Sequence, residues 1–172
     1  MEIKVPFYNV VNMFLTGFVF LGGVVLLFSN SFVSIMESPI GKNAGIVPEL
    51  IGVVCFFSIA YEVGFIINRL GSIVLGKLLI RWKWIPYDEN YIKYNKKLKV
   101  YPVLSTLSRE YAVTRTGMTL FFLLAVLSLF SQYCYLSIVF AAIVVIYYFS
   151  CRDYAKRIVA LMCNEVESNE DN

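Results

Sequence analysis

The sequence predicts an all-α membrane protein of four transmembrane helices, with a cytoplasmic helical insertion between the second and third. Three observations carry this. Of 172 residues, 59% are apolar and 16% charged, against roughly 45–50% and 25% in a soluble domain. Mean hydropathy is +0.70. The bases are gathered into a few connecting segments, and the apolar runs between those segments are long.

The first span is expected over residues 10–28. The run from Val10 to Phe28 is too long for the apolar part of a secretory leader and has no basic segment before it. It is therefore read as a retained helix. Asn9, Asn12, Thr16, Gly23 and Asn30 fall on one side of it, and polar side chains within lipid seek partners on neighbouring helices. A loop follows, marked by the turn formers Pro39, Gly41, Asn43 and Gly45.

The second span is expected over residues 47–67, long enough for a bilayer core of about 30 Å. At about 100° per residue, Cys55, Ser58, Glu62 and Arg69 line up as one polar stripe. Ala60, Gly64 and Gly71 form a stripe of small residues on the opposite side. A lipid-facing helix needs neither, so this helix is expected to be wrapped by protein. Antiparallel packing makes Asn12 and Thr16 the expected partners of the Glu62 stripe.

Residues 70–110 form the expected cytoplasmic insertion. The helical pattern continues from Leu70 to Ile80, and Pro86 and Pro102 then punctuate a polar stretch. Asp88 suits the cap of a short helix reaching about Leu98. Pro102 suits the start of a helix that runs into the third span, expected over 111–131. Gln132 to Cys134 is the turn into the fourth, over 135–155. The apolar cores of these two spans, Gly117–Ser131 and Tyr135–Phe149, hold 15 residues each. That is short of the roughly 20 a span needs, so both helices are expected to extend beyond them. Residues 162–172 are acidic and expected to be disordered.

Orientation follows from the bases. Ten lie between Arg69 and Arg115, and Arg152, Lys156 and Arg157 follow the fourth span. The connections on the other side hold Lys42 alone. Both termini and the insertion are therefore expected in the cytoplasm.

Several function classes drop out. There is no His, and the four cysteines include no CxxC pair. Imidazole acid–base chemistry and the usual zinc sites are thus excluded. No nucleotide loop or nucleophile elbow is present. No catalytic residue, metal ligand or cofactor is expected, and the protein is read as a non-enzyme.

Three constellations remain. Glu62 and Arg69 stand about 10 Å apart along one helix, too far to pair. Arg109 or Arg115 is the candidate partner for Glu62, and Glu110 for Arg69. An intramembrane carboxylate marks either an ion path or switch, or structural glue near the interface. Ala60, Gly64 and Gly71 permit close helix packing, within one protomer or between protomers. Two stripes on one helix of a small bundle favour a homo-oligomer, whose polar stripes in a ring would line a pore. Last, Arg81, Lys83, Lys93, Lys96, Lys97 and Lys99 interleave with Trp82, Trp84 and several tyrosines. Such a segment suits membrane lipid of an anionic leaflet or a soluble cytoplasmic protein partner. Single-stranded nucleic acid is the least expected of the three.

The segment Tyr61–Leu79 (YEVGFIINRLGSIVLGKLL), followed by Leu107–Phe121 (LSREYAVTRTGMTLF), resembles a pattern in small multi-span bacterial inner-membrane proteins associated with phage-defence genes. Kiwa-type membrane subunits and CRISPR membrane accessories are of this kind. The CRISPR accessories carry a His-containing cytoplasmic motif, which this His-free chain lacks. The resemblance implies a non-enzymatic subunit of the bacterial inner membrane that senses envelope perturbation and binds a soluble partner. It transfers no functional residue. The alternatives are a pore-forming effector that depolarises the membrane, and a small transporter or assembly factor.

Overall fold

The computed structural model describes residues 7–28, 46–83, 98 and 101–163. Among them there is no strand. The elements are α1 (Phe7–Leu27), α2 (Ile46–Leu70), a π-helical turn (Gly71–Gly76), α3 (Lys77–Arg81), α4 (Val103–Leu129) and α5 (Leu136–Cys163). From α2 to α3 the chain is one continuous rod. Four rods are long and apolar enough to cross a membrane, so the chain is an all-α, multi-pass membrane protein of four spans. In hydrocarbon a backbone must satisfy its own hydrogen bonds, which leaves helices as the outcome for such runs.

α1 and α2 form a hairpin whose backbones touch. A Cβ at Gly17 would overlap the Ala60 carbonyl, and one at Gly64 would overlap the Met13 carbonyl. α4 lies against α1, α2 and the π turn, and α5 lies along α4. Pro102 stands at the head of α4, and Phe130 to Tyr135 turn the chain into α5.

Burial within the single chain is uneven. In α4, 44% of the span is buried, against 17% in α1, 17% in the α2–α3 rod and 6% in α5. The central helix is therefore α4, and α2 is half wrapped. Thr114, Thr116, Thr119 and Ser128 of α4 are all buried, and the hydroxyls of Thr114, Thr119 and Ser128 donate to carbonyls of their own helix, at 2.8–3.1 Å. That local bonding lets a polar face enter a core without partners elsewhere.

The two short apolar cores resolve as expected. α4 has 27 residues and α5 has 28, about 40 Å each at a rise of about 1.5 Å. Each reaches well past a core of about 30 Å. Two apolar clusters result. One gathers Leu27, Ile67, Leu120 and Leu124. The other gathers Leu79, Leu104, Tyr111, Cys151, Ala155, Ile158 and neighbouring residues, with Leu98 packed against it. Exposed Arg109, Arg152, Asp153, Lys156 and Arg157 surround the second cluster. Asp153 and Arg157 pair one turn apart on α5 at 2.8 Å. A ring of exposed charge is costly in hydrocarbon, so the Leu104–Ile158 end of this cluster is expected on the water side of the bundle, with Met118 reaching towards the spans.

The rod from α2 to α3 changes pitch at Gly71–Gly76, where the wider π turn meets α4. A Cβ at Gly71 would stand 2.6 Å from Thr119 Oγ1, so a larger residue there would displace the Thr119 hydroxyl. The wider turn resets the helical phase and delivers Leu79 into the water-side cluster. The described part of the rod closes at Lys83, which has a φ of 55°. The short helix expected from Asp88, the residues Trp84, Lys93, Lys96, Lys97 and Lys99, the first loop and residues 164–172 lie outside the described residues; Met162 and Cys163, expected in the disordered tail, belong to α5, where Met162 is buried in the second cluster.

Candidate functional site

The two faces of α2 have different fates. The small-residue face turns inward: Ala60, Gly64 and Gly71 are buried against α1 and α4 within a single protomer. Their partner on α1 is Gly17, which sequence reasoning passes over because an isolated glycine in an apolar run carries no period of its own. Gly23 of α1 meets the Leu124 side chain.

The polar face turns outward. Cys55, Ser58, Glu62 and Arg69 are all exposed on the protomer surface. This departs from the expectation that Asn12 and Thr16 meet the Glu62 stripe. The Thr16 hydroxyl donates to the Asn12 carbonyl of its own helix at 2.7 Å, and that of Ser58 to the Val54 carbonyl at 2.9 Å. Backbone contact at Gly17 and Gly64 fixes the rotation of the hairpin, so Ser58 and Glu62 are carried to the outer face, while Arg69, further along the helix, borders a crevice shared with α1 and α4. Among the described residues no ion pair joins Glu62 to Arg109 or Arg115, or Arg69 to Glu110. The Arg69 guanidinium instead lies over the Phe65 ring, 5.1 Å from its centroid.

The depth of Glu62 follows from its neighbours. Gly17, at the midpoint of α1, packs between Ala60 and Gly64. Glu62 lies between those two residues along the same helix, so it is level with the middle of α1. Flanking residues of the outer face are apolar and exposed, including Ile59 and Ile66 at 54% and 53%.

What α1 meets on α2 lies one to two turns further on. Asn9 and Asn12 border a crevice of ≈ 230 Å³ that also takes in Asn68, Arg69 and Ser72 of the α2 rod, and Arg109 and Arg115 of α4. Asn68 is a second residue that sequence reasoning overlooks, since Glu62 and Arg69 draw attention away from it. Its Oδ1 accepts from the Thr116 hydroxyl at 2.8 Å, and the same hydroxyl stands 2.9 Å from the Ala112 carbonyl. Among the described residues this side-chain hydrogen bond ties α2 to α4. Thr116→Val is expected to cost ~0.5–2 kcal/mol, the range for hydrogen bonds between membrane helices, read as a lowered thermal midpoint in detergent.

The remaining predicted residues divide between surface and crevice. Arg81, Trp82 and Lys83 are exposed at the end of the rod. Arg109 donates to Thr106 Oγ1 at 3.2 Å and lies over the Tyr8 ring at 5.8 Å. Glu110 is half-buried. The Arg115 guanidinium lies over Tyr111 at 5.5 Å, and its Nε is buried with no hydrogen-bond partner. On the other side of the rod, Leu75, Leu78, Leu79 and Trp82 face Met118, Phe122 and Tyr148 across a separate apolar groove of ≈ 590 Å³.

No protein-family model matches the chain, and comparison with curated proteins and with solved structures returns no match.

Proposed function

We propose that this protein is a non-catalytic subunit of a membrane homo-oligomer, joined through the outward stripe of α2. One observation carries the reading: Glu62 is exposed on its protomer at the level of the middle of α1. A charged side chain at the centre of a membrane helix costs about 2.5–3.5 kcal/mol even on lenient insertion scales. A second copy in the same orientation lays its own Ser58–Glu62 stripe alongside at that depth and can replace lipid around the carboxylate. The protomer uses its small residues internally, so the polar face is left for assembly.

The clustering of bases from Arg69 to Arg115, with Arg152, Lys156 and Arg157, supports a cytoplasmic position for the helical layer and both termini. The resemblance to defence-associated membrane proteins supports placing this assembly in a bacterial inner membrane, as a sensor of envelope perturbation. Exposed Arg81 and Trp82, at the tip of the α2–α3 rod, suit the capture of a soluble partner.

Co-expression of two differently tagged copies tests the assembly. Capture of one by the other is expected, and Glu62→Leu, which lets α2 face lipid without cost, is expected to reduce it at least tenfold. Absence of capture for the unmodified pair contradicts the proposal. A ring of such stripes would also enclose Ser58 and Glu62 around a water path; that second reading requires ion leakage from liposomes holding the assembled protein.

A further inference from the structure

We propose that the crevice between α1, the α2 rod and α4 binds the phosphate of an anionic membrane phospholipid. Its polar lining consists of three arginines (Arg69, Arg109 and Arg115), three asparagines (Asn9, Asn12 and Asn68) and Ser72. No carboxylate lines it, and among the described residues none of the three arginines is in an ion pair. Three permanent cations around ≈ 230 Å³ repel one another, and the arrangement is completed by an anion. Arginine's planar donors suit phosphate oxygens, and amide and hydroxyl side chains supply further donors. The Arg115 Nε is already buried without a partner. Leaving such a donor without a bond is unfavourable, and an anion held close to the Arg115 guanidinium would offset part of that cost.

Depth selects the source of the phosphate. Asn9 and Asn12 stand where the apolar run of α1 begins, Arg69 where that of α2 gives way to the π turn, and Arg115 two residues before the apolar run of α4. All three helices thus pass from hydrocarbon to water at this level, which is where lipid phosphates lie. Arginine clusters between membrane helices on the basic side are suited to such headgroups. Exposed Ile73 and Val74 of the π turn offer apolar surface next to Ser72 for the start of an acyl chain.

The full-length protein in mild detergent, analysed by native mass spectrometry after mixing with phosphatidylglycerol or phosphatidylcholine, tests the assignment. Retention of phosphatidylglycerol is expected to exceed that of phosphatidylcholine at least tenfold. The double variant R69Q/R109Q and the single variant N12D, which places a carboxylate in the crevice, are each expected to lose that preference. Lys77→Gln, outside the crevice, is expected to keep it. Arg115→Lys, which keeps the charge and alters the planar fork, guards against loss through misfolding and is expected to weaken retention with an unchanged elution profile. Equal retention of phosphatidylglycerol by R69Q/R109Q and the unmodified protein overturns the site. Displacement of the lipid by inorganic phosphate, with equal thermal stabilisation by both, overturns the lipid source and assigns the crevice to a free phosphate.

Discussion

Gly64→Leu is expected to detach α1 from α2 and leave mostly aggregated protein after extraction, whereas Gly22→Leu should behave as the unmodified chain. The two substitutions add the same side chain to glycines of the same hairpin. Their surroundings differ. Around Gly22 nothing lies within 4 Å of a Cβ, while at Gly64 the Met13 carbonyl and the Gly17 nitrogen occupy its place. Overpacking usually costs about 1–3 kcal/mol because neighbouring side chains give way. Backbone atoms cannot rotate aside, so the effect at Gly64 is expected at or above the top of that range. Gly17→Leu should match it from the other helix. Size-exclusion profiles and thermal midpoints in one detergent check all three. A Gly64→Leu protein with an unchanged midpoint would mean that the hairpin packs by another face.

Ile158→Ala is expected to produce the other large loss, about 2–5 kcal/mol, as for truncation of a buried aliphatic side chain. Ile158 has no exposure and packs in the water-side cluster with Leu104, which has none either. The comparison with Leu124→Ala is informative. Leu124 is 1% exposed, but its cluster lies at the level of the spans. There, lipid solvates an apolar side chain as well as protein does, and only packing is lost. In the water-side layer the transfer of the side chain from water counts as well. Ile158→Ala should therefore destabilise more than Leu124→Ala, despite removing no more volume. Thermal unfolding of the two variants side by side measures this, and the reverse order would place the second cluster within hydrocarbon.

The spans are legible in the sequence because lipid imposes length and apolarity on them. The head of α4 at Pro102 and the turn around Gln132–Cys134 are legible through local backbone chemistry. Extension of α4 and α5 beyond their apolar cores follows from the shortness of those cores. Other features are hidden for physical reasons. Periodicity assigns residues to a face but does not name the neighbour of that face. Thus the stripes of α2 are readable, while the inward position of Ala60 and Gly64, and the outward position of Ser58 and Glu62, depend on where α1 finds room for its backbone. Gly17 decides that, and a single glycine has no pattern. The central role of α4 is concealed in a similar way. Its buried hydroxyls at Thr114, Thr119 and Ser128 are satisfied by their own helix, so they look like ordinary composition. The crevice assembles Asn9, Asn12, Asn68 and Arg115 from three helices that are remote in sequence, and only the fold brings them together.

An outward carboxylate at mid-span either meets protein or meets lipid, and the mass of the intact particle distinguishes the two. Unmodified protein reconstituted in lipid nanodiscs should give a protein mass of two or more chains of 19.6 kDa, with Glu62→Leu shifting the distribution towards one. A particle holding a single chain, for the unmodified protein and the variant alike, would contradict the proposed role of α2 in assembly.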